Sequence, residues 1–192
     1  GLHPEPIQPW VDRCLAKVKE LGYDAGFIND GDADRIGAGD SQGNFVNPHR
    51  IITLVTQHMY ERGERGRVVS TITASALLDR MCRKLGLELV STPVGFKWIY
   101  GEMEKGGVMI GGEESGGIGL PGHVKERDGL LMALLLGLRI LGWALLFLLP
   151  LCMAFGGFVF HLAQRGIWLL PPSGGVLFYE LPGTGQAISP EM

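Results

Sequence analysis

Apolar and polar positions repeat at helical spacing in several segments of the first two thirds of the chain. The segment PWVDRCLAKVKELG places apolar residues on one helical face, and Gly22 marks its end. A second helix is predicted to begin at Asn47, with Pro48 in its first turn, and to end near Gly63. A third, ASALLDRMCRKLG, is closed by Gly86. These amphipathic segments predict helices that each cover a sheet.

Short apolar runs between these helices predict strands: DAGFIN, RVVST, LELVS and GVMI. FKWIYGEMEKG and ERDGLLMALLLGLRI predict two further helices, and DSQGNFV has the turn chemistry of a hairpin connection. Strands that alternate with helices indicate βαβ units, and hence an α/β fold with a mainly parallel sheet. Such sheets bind ligands in loops beyond the carboxyl ends of their strands. Two unusual loops, DGDADR and GGEESGG, both follow predicted strands.

The composition fits a folded domain and excludes several classes of protein. Hydrophobic residues make up 46% of the chain and charged residues 19%, which is enough apolar material for a core. A net charge of -3 gives no electrostatic basis for binding nucleic acid or an anionic membrane. Cys14, Cys82 and Cys152 are odd in number and far apart, which predicts a reducing cytoplasm. No signal peptide is visible, and the start at Gly1 leads us to expect a part of a longer protein.

Asp30, Asp32 and Asp34 occupy alternate positions in the loop after DAGFIN. Each pair of carboxylates about 4 Å apart repels by about 4 kcal/mol at an effective dielectric constant of about 20. A bound Mg²⁺ or Ca²⁺ would remove this cost, since both ions prefer carboxylate oxygens. An EF-hand is excluded, because Arg35 and Ser41 stand where that motif needs Gly and Glu.

Two other interpretations of this loop are weaker. A solvated polar turn would explain one aspartate better than three in alternation behind a buried strand. A phosphatase of the haloacid dehalogenase kind would need Thr or Val where this chain has Asp34. With three protein ligands, Mg²⁺ would keep positions open for water and a phosphate oxygen, and Arg35 could clamp a phosphate or pair with an aspartate.

The segment GGEESGG sets Glu113, Glu114 and Ser115 in a flexible glycine frame. Carboxylates and a hydroxyl suit the hydroxyl groups of a sugar, although a charged surface loop is an equal alternative in isolation. Further along, the match to G-x-G-x-x-G is discounted because Pro121 interrupts it. Lys97 lies between Phe96 and Trp98, where partial desolvation could fit it for proton transfer or phosphate contact, the alternative being an ordinary surface lysine.

Together, DGDADR, TPVGFKWI, GGEESGG and GHVKERDGLL resemble motifs of the α-D-phosphohexomutases, the phosphoglucomutase and phosphomannomutase family. The resemblance runs from about His3 to about Arg139. It implies that residues 1–45 are the end of domain 2, with the metal loop, and that residues 46–139 are domain 3, with the sugar loop. Residues 140–192 form a hydrophobic tail without a counterpart in the family.

The resemblance also implies the roles of individual residues. Asp30, Asp32 and Asp34 correspond to Mg²⁺ ligands, and Arg35 and Lys97 to catalytic groups. The residues that correspond to substrate contacts are Gly95, Glu113, Ser115, His123 and Arg127. Some phosphomannomutase-type members have His at the positions of Phe96 and Gly117, which places this chain nearer the phosphoglucomutase side.

The family reaction moves a phosphoryl group between an enzyme phosphoserine and either end of a hexose phosphate, here a glucose or mannose phosphate. The phosphoserine loop, of the T-A-S-H-N-P type, does not occur in this sequence. Ser75 is rejected as the nucleophile because no His-Asn-Pro follows it. The domain 4 loop that grips the distal phosphate is also missing. We therefore expect no mutase turnover from this polypeptide alone, and the alternatives are a membrane-tethered sugar-phosphate-binding module or a non-functional fragment.

The tail has a different composition from the rest of the chain. No charged residue occurs between Ile140 and Ala163, a run of 24 residues. As a helix it would reach about 36 Å, enough to cross a bilayer, although Pro150 interrupts it. Three explanations are open: an out-of-frame translation, which we prefer, a fused membrane segment, and a buried hydrophobic helix. Contact with a membrane is expected only if the segment 140–163 is genuine.

Overall fold

Two sheets and five helices make up residues 5–142, the part of the chain that the computed structural model describes. These residues lie within one compact unit, Gly1–Leu145. The elements are α1 (Asp12–Leu21), β1 (Ala25–Asn29), β2 (Ile36–Asp40), β3 (Phe45–Val46), α2 (Pro48–Glu61), β4 (Arg67–Thr71), α3 (Ala76–Leu85), β5 (Leu89–Thr92), α4 (Phe96–Glu104), β6 (Val108–Gly112), β7 (Ile118–Gly119) and α5, helical over 129–142.

The first sheet is antiparallel and has the order β1-β2-β3. The aspartate loop, residues 30–35, connects β1 to β2 and is too short for the crossover that a parallel pair needs. α1 packs closely on this sheet because Gly39 has no side chain: a Cβ there would lie 2.5 Å from Leu15 Cδ2. The expectation of a mainly parallel sheet is therefore not met in this part of the chain, where β2 was not predicted at all.

The second sheet has the order β5-β4-β6-β7 and is mainly parallel. β4 pairs in parallel with both β5 and β6, and only the short β7 runs antiparallel to its neighbour β6. The α/β class and the mainly parallel arrangement predicted from the sequence are confirmed here. The carboxyl ends of β4, β5 and β6 lie at one edge, and the loops that follow them share that edge.

Both faces of the second sheet are covered. Val68 faces a large core that includes Ile36 of the first sheet together with residues of α2, α3 and α5. The next residue, Val69, faces the opposite side and packs with Ile99 and Met103 of α4. Because Ile36 directly follows the aspartate loop and is fully buried, the core holds that loop in place beside the second sheet.

The predicted helix ends are confirmed at several positions. The Asn47 side chain accepts a hydrogen bond from the Arg50 amide at 3.1 Å, which caps α2. Gly22 and Gly86 follow α1 and α3 in the left-handed conformation, with φ of 66° and 68°. Residues 143–192 lie outside the described part of the chain. All of the predicted tail except residues 140–142 therefore lies outside it as well. Among residues 5–142, we find no helix that combines the length and the apolar character needed to span a bilayer.

His58, on α2, is expected to make stability depend on pH. Its Nε2 atom is buried and has no hydrogen-bond partner among residues 5–142. Burial lowers the pKa of His58 below its ordinary value. The positive charges of Arg139 and Arg62 lower this pKa further, and Glu61 opposes them. The unfolded chain therefore binds a proton more readily than the folded chain, so stability falls as the pH drops below the ordinary histidine pKa of about 6.5.

The variant His58→Gln isolates this contribution, because glutamine does not titrate. As the pH is lowered from about 7.5 to about 5, the free energy of unfolding of the original chain should fall more than that of the variant. Urea denaturation followed by circular dichroism at several pH values measures the difference. Parallel pH dependences for the two proteins would contradict the assignment to His58.

Candidate active site

The aspartate loop curls so that its three carboxylates face one point. Ala33 takes the left-handed conformation, with φ of 61°, which is uncommon for a residue with a side chain. Its amide donates to the Asp30 carbonyl at 3.3 Å, and the Arg35 amide donates to Asp30 Oδ1 at 3.1 Å. As a result, one carboxylate oxygen from each of Asp30, Asp32 and Asp34 lies within 4.8 Å of the others.

Two arginines offset the repulsion within this cluster. Arg35 Nε lies 3.4 Å from Asp30 Oδ2, and Arg127 Nη2 lies 2.7 Å from Asp34 Oδ2. Burial nevertheless raises the pKa of Asp34 above its ordinary value. A hydrogen bond with Asp30 and the charges of Asp30 and Asp32 raise this pKa further, and Arg127 opposes them. Burial and the neighbouring carboxylates therefore disfavour the ionised form of Asp34, and Arg127 favours it.

The donor set fits a hard divalent cation. Asp34 Oδ1 is buried and accepts no hydrogen bond from residues 5–142. Arg35 Nε lies 3.8 Å from this oxygen, within the distance of an ion pair. A buried carboxylate oxygen without a hydrogen bond is costly unless a charge is bound to it. Asp32 is exposed, so the cluster opens to solvent on that side. These oxygen ligands match Mg²⁺ or Ca²⁺.

The glutamate-serine loop, residues 113–117, forms a tight turn between β6 and β7. The Glu113 amide donates to the Gly117 carbonyl at 3.0 Å, and the Gly116 amide donates to the Glu113 carbonyl at 3.2 Å. Ser115 Oγ donates to Glu113 Oε1 at 3.0 Å. Glu113 and Ser115 thus form one polar group in the turn that follows the carboxyl end of β6.

Glu114 turns away from this pair. Its Oε2 accepts hydrogen bonds from the hydroxyls of Thr71 and Thr73, both at 2.6 Å. Burial alone would raise the pKa of Glu114, but these two hydrogen bonds hold it below its ordinary value. Sequence analysis did not identify Thr71 and Thr73 as part of the site. Thr71 ends β4 and Thr73 lies just beyond its carboxyl end, and this position is the signal that could have found them.

The backbone joins the two loops directly. Arg35 and Gly117 form a β-bridge, and the Ile36 amide donates to the Gly116 carbonyl at 3.2 Å. Gly116 has φ of 99°, and a Cβ added there would lie 2.7 Å from the Ile36 carbonyl oxygen. Glycine is therefore required for this close approach of the first sheet to the second.

The side chain of Arg127 joins the loops a second time. Its Nη2 contacts Asp34 at 2.7 Å, and its Nη1 lies 3.4 Å from Glu113 Oε1. The guanidinium group lies 5.6 Å from the centre of the Phe96 ring, within range of a cation–π interaction. Because Gly117 has no side chain, Arg127 has room to pass beside it. One cation thus bridges carboxylates of two loops that are far apart in the sequence.

The remaining predicted residues are Lys97, Gly95 and His123, and the contacts of Lys97 and His123 lie outside this group. Lys97 is exposed, and its Nζ lies 5.1 Å from the centre of the Trp98 ring, which is itself 48% exposed. Gly95 precedes α4, with φ of 115°. His123 Nε2 lies 3.3 Å from Asp128 Oδ2. The contacts found in residues 5–142 thus bring Asp30, Asp32, Asp34, Arg35, Glu113, Ser115 and Arg127 together, while those of Lys97 and His123 are with other partners.

Residues 47–141 match the family model described as phosphoglucomutase/phosphomannomutase, alpha/beta/alpha domain III. Among curated proteins, the chain is 41% identical over 126 residues to a phosphoglucosamine mutase of Parafrankia sp., covering 65% of this chain and 27% of that protein. It is 38% identical over 132 residues to a phosphoglucosamine mutase of Corynebacterium diphtheriae, covering 68% and 30%. The chain therefore spans less than a third of the length of these relatives.

A solved structure from Thermus thermophilus, described as a "putative phosphomannomutase", superposes with a TM-score of 0.67 at 45% identity. The match covers 69% of this chain and 31% of that one. A phosphoglucomutase/phosphomannomutase family protein from Burkholderia thailandensis gives a TM-score of 0.63 at 26% identity, over 68% and 29% of the two chains. The same fold thus recurs in proteins of known structure.

Proposed function

The chain belongs to the phosphoglucomutase/phosphomannomutase family through its domain III, residues 47–141, and from this premise we propose that it serves in phosphoryl transfer on hexose phosphates. The members of this family are phosphohexomutases, a class of isomerase. The observation that carries the proposal is the contact of Arg127 with both Asp34 and Glu113, at 2.7 and 3.4 Å. This contact supports the proposal because it joins the aspartate loop to the glutamate-serine loop.

We propose that Asp30, Asp32 and Asp34 hold Mg²⁺. The buried Asp34 oxygen without a hydrogen bond and the closeness of the three carboxylates support this. When bound, Mg²⁺ supplies positive charge that stabilises a transferring phosphoryl group. Arg35 pairs with this cluster, which supports the proposal that it contacts a phosphate oxygen beside it.

Glu113 and Ser115 are proposed to bind hydroxyl groups of the sugar. Glu113 is partly neutralised by Arg127 and would accept hydrogen bonds, and the Ser115 hydroxyl can both donate and accept. Arg127 is proposed to contact the substrate from the same side. A carboxylate, a hydroxyl and a guanidinium group together suit a phosphorylated sugar better than a neutral one.

Lys97, Gly95 and His123 are proposed to contact the substrate's phosphate or its reacting hydroxyl. Lys97 is exposed at the first turn of α4, and its ammonium group suits a phosphate contact or proton transfer. Gly95 leaves the backbone at the start of α4 open to a ligand. His123, paired with Asp128, is proposed to face the ligand when the site is filled.

We also propose the division into 1–45 as the end of domain 2, 46–139 as domain 3 and 140–192 as a tail. The family model that starts at residue 47 supports the first boundary. The proposed location is the cytoplasm, which agrees with the free thiols of Cys14 and Cys82. Mutase turnover is proposed to be absent from this polypeptide by itself, and conversion of glucose 1-phosphate to glucose 6-phosphate by the purified chain would contradict this.

Replacing Glu113 by glutamine should weaken the binding of a hexose phosphate about tenfold, because the charged acceptor becomes a neutral amide and the ion pair with Arg127 is lost. Calorimetry on the full chain with Mg²⁺ present measures the affinity for glucose 1-phosphate, mannose 1-phosphate and glucosamine 1-phosphate. The relatives named as phosphoglucosamine mutases are the reason to include the third sugar.

Glu88→Gln is the matched control, since Glu88 is exposed and precedes β5, away from both loops in the sequence. It should bind each sugar phosphate as the original chain does. The proposal fails if the original chain binds none of the three sugar phosphates, or if Glu113→Gln and Glu88→Gln bind them equally well.

A further inference from the structure

Three oxygen atoms form a triangle at the carboxyl end of β4. The hydroxyls of Thr71 and Thr73 both lie 2.6 Å from Glu114 Oε2 and 2.9 Å from each other. Thr71 is the last residue of β4 and is only 1% exposed, so its hydroxyl has a fixed position. The Glu114 carboxylate is therefore tied to the rigid end of a central strand by two short hydrogen bonds to an ionised acceptor.

Ser70, which precedes Thr71 in β4, also forms a hydrogen bond next to the glutamate-serine loop. Ser70 Oγ donates to the Gly112 carbonyl at 2.7 Å, in the interior of the protein. Gly112 directly precedes Glu113. The end of β4 thus holds both the residue before Glu113 and the residue after it, through hydroxyl groups in each case.

The two adjacent glutamates of this loop, Glu113 and Glu114, have identical side chains. The sequence alone therefore does not decide which of their carboxylates pairs with Arg127. In the structure their partners differ in kind: Glu113 meets a cation and a serine, whereas Glu114 meets two threonine hydroxyls. The threonines supply neutral donors that only one of the two carboxylates can reach in this arrangement.

We propose that Glu114 is a positioning residue, held by Thr71 and Thr73 so that Glu113 and Ser115 face the ligand. The inference rests on the proposed function, because it concerns the binding of a hexose phosphate. The two glutamates then have separate tasks, although their chemistry is identical. Glu113 meets the substrate, and Glu114 fixes the direction in which Glu113 points.

The variant Thr73→Val tests this directly, because valine has the same shape and lacks the hydroxyl. Thr73 is exposed, so the variant is expected to fold. Amide signals of residues 113–116 in nuclear magnetic resonance spectra of the full chain should shift and broaden, and the affinity for glucose 1-phosphate with Mg²⁺ should fall about fivefold to tenfold. Thr73→Ser keeps the hydroxyl and should restore both properties.

Each outcome decides a separate point. Unchanged loop signals in Thr73→Val would overturn the inference, and so would altered signals with unchanged affinity, because the clamp would then have no effect on the ligand. Equal defects in Thr73→Val and Thr73→Ser would also overturn it, since the hydroxyl would not matter. Failure of the original chain to bind glucose 1-phosphate would count against the proposed function. In that case the amide signals of residues 113–116 would still decide whether the Thr71 and Thr73 hydroxyls orient Glu113.

Discussion

Replacing Gly116 by alanine is expected to lower the free energy of unfolding by about 3 kcal/mol, which combines the cost of a left-handed residue with a side chain and that of a disturbed backbone contact. Gly116 has φ of 99°, and the added Cβ would lie 2.7 Å from the carbonyl oxygen and 3.1 Å from the amide nitrogen of Ile36. Both are backbone atoms and cannot move aside as the end of a side chain can. The substitution should therefore separate the first sheet from the glutamate-serine loop.

Gly122→Ala is the matched control for this prediction. A Cβ at Gly122 would meet no atom within 4 Å, and the residue is exposed. Its free energy of unfolding should stay within about 0.5 kcal/mol of the original value, as is usual for surface substitutions. Urea denaturation compares the three proteins. Equal stability of Gly116→Ala and Gly122→Ala would show that the contact between Gly116 and Ile36 does not hold the two loops together.

Replacing Asp32 by asparagine is expected to weaken Mg²⁺ binding at least tenfold, or by about 1.4 kcal/mol or more, for the loss of one charged oxygen ligand. Asp32 is exposed and adds its charge to a crowded cluster. Without the ion, its removal relieves repulsion, so the free energy of unfolding should stay the same or rise slightly. Asp34→Asn should lose the ion as well, but it also weakens the ion pair with Arg127 and should destabilise the fold.

Asp24→Asn is the control for the effect of net charge. Asp24 is exposed and lies just before β1, outside the cluster. Calorimetric titration with Mg²⁺ should give the same affinity for this variant as for the original chain. The assignment of the site would be wrong if Asp24→Asn and Asp32→Asn changed the affinity equally.

The elements with strong local signals could be predicted from the sequence. Gly22 and Gly86 end helices because the left-handed conformation costs glycine little, and Asn47 caps α2 through its own side chain. The aspartate loop and the glutamate-serine loop were also found, since each follows an apolar strand. These signals depend on neighbours in the sequence, so the sequence alone contains them.

Features that depend on distant residues were not predicted. β2, with the sequence IGAGD, has no apolar alternation, and both its pairing with β1 and β3 and the packing of α1 at Gly39 involve other segments of the chain. The pairing of Arg127 with Asp34 joins residues that are far apart in the sequence. Partial desolvation of Lys97 between Phe96 and Trp98 was one of two interpretations, but Lys97 is exposed and Trp98 is 48% exposed, while Phe96 is buried. Successive residues of a helix point in different directions, so flanking aromatics do not enclose the residue between them.

Titration of the ¹⁵N-labelled full chain with Mg²⁺ tests the central claim most directly, because it observes both loops at once. We predict saturable shifts of the Gly31, Ala33 and Arg35 amides and, through Arg127, of the Gly116 and Gly117 amides, all with one midpoint. The shifts should weaken in parallel in the asparagine variant at position 32. If the aspartate-loop signals do not respond to millimolar Mg²⁺, or if the two loops respond with different midpoints, the claim of a single joined site is wrong.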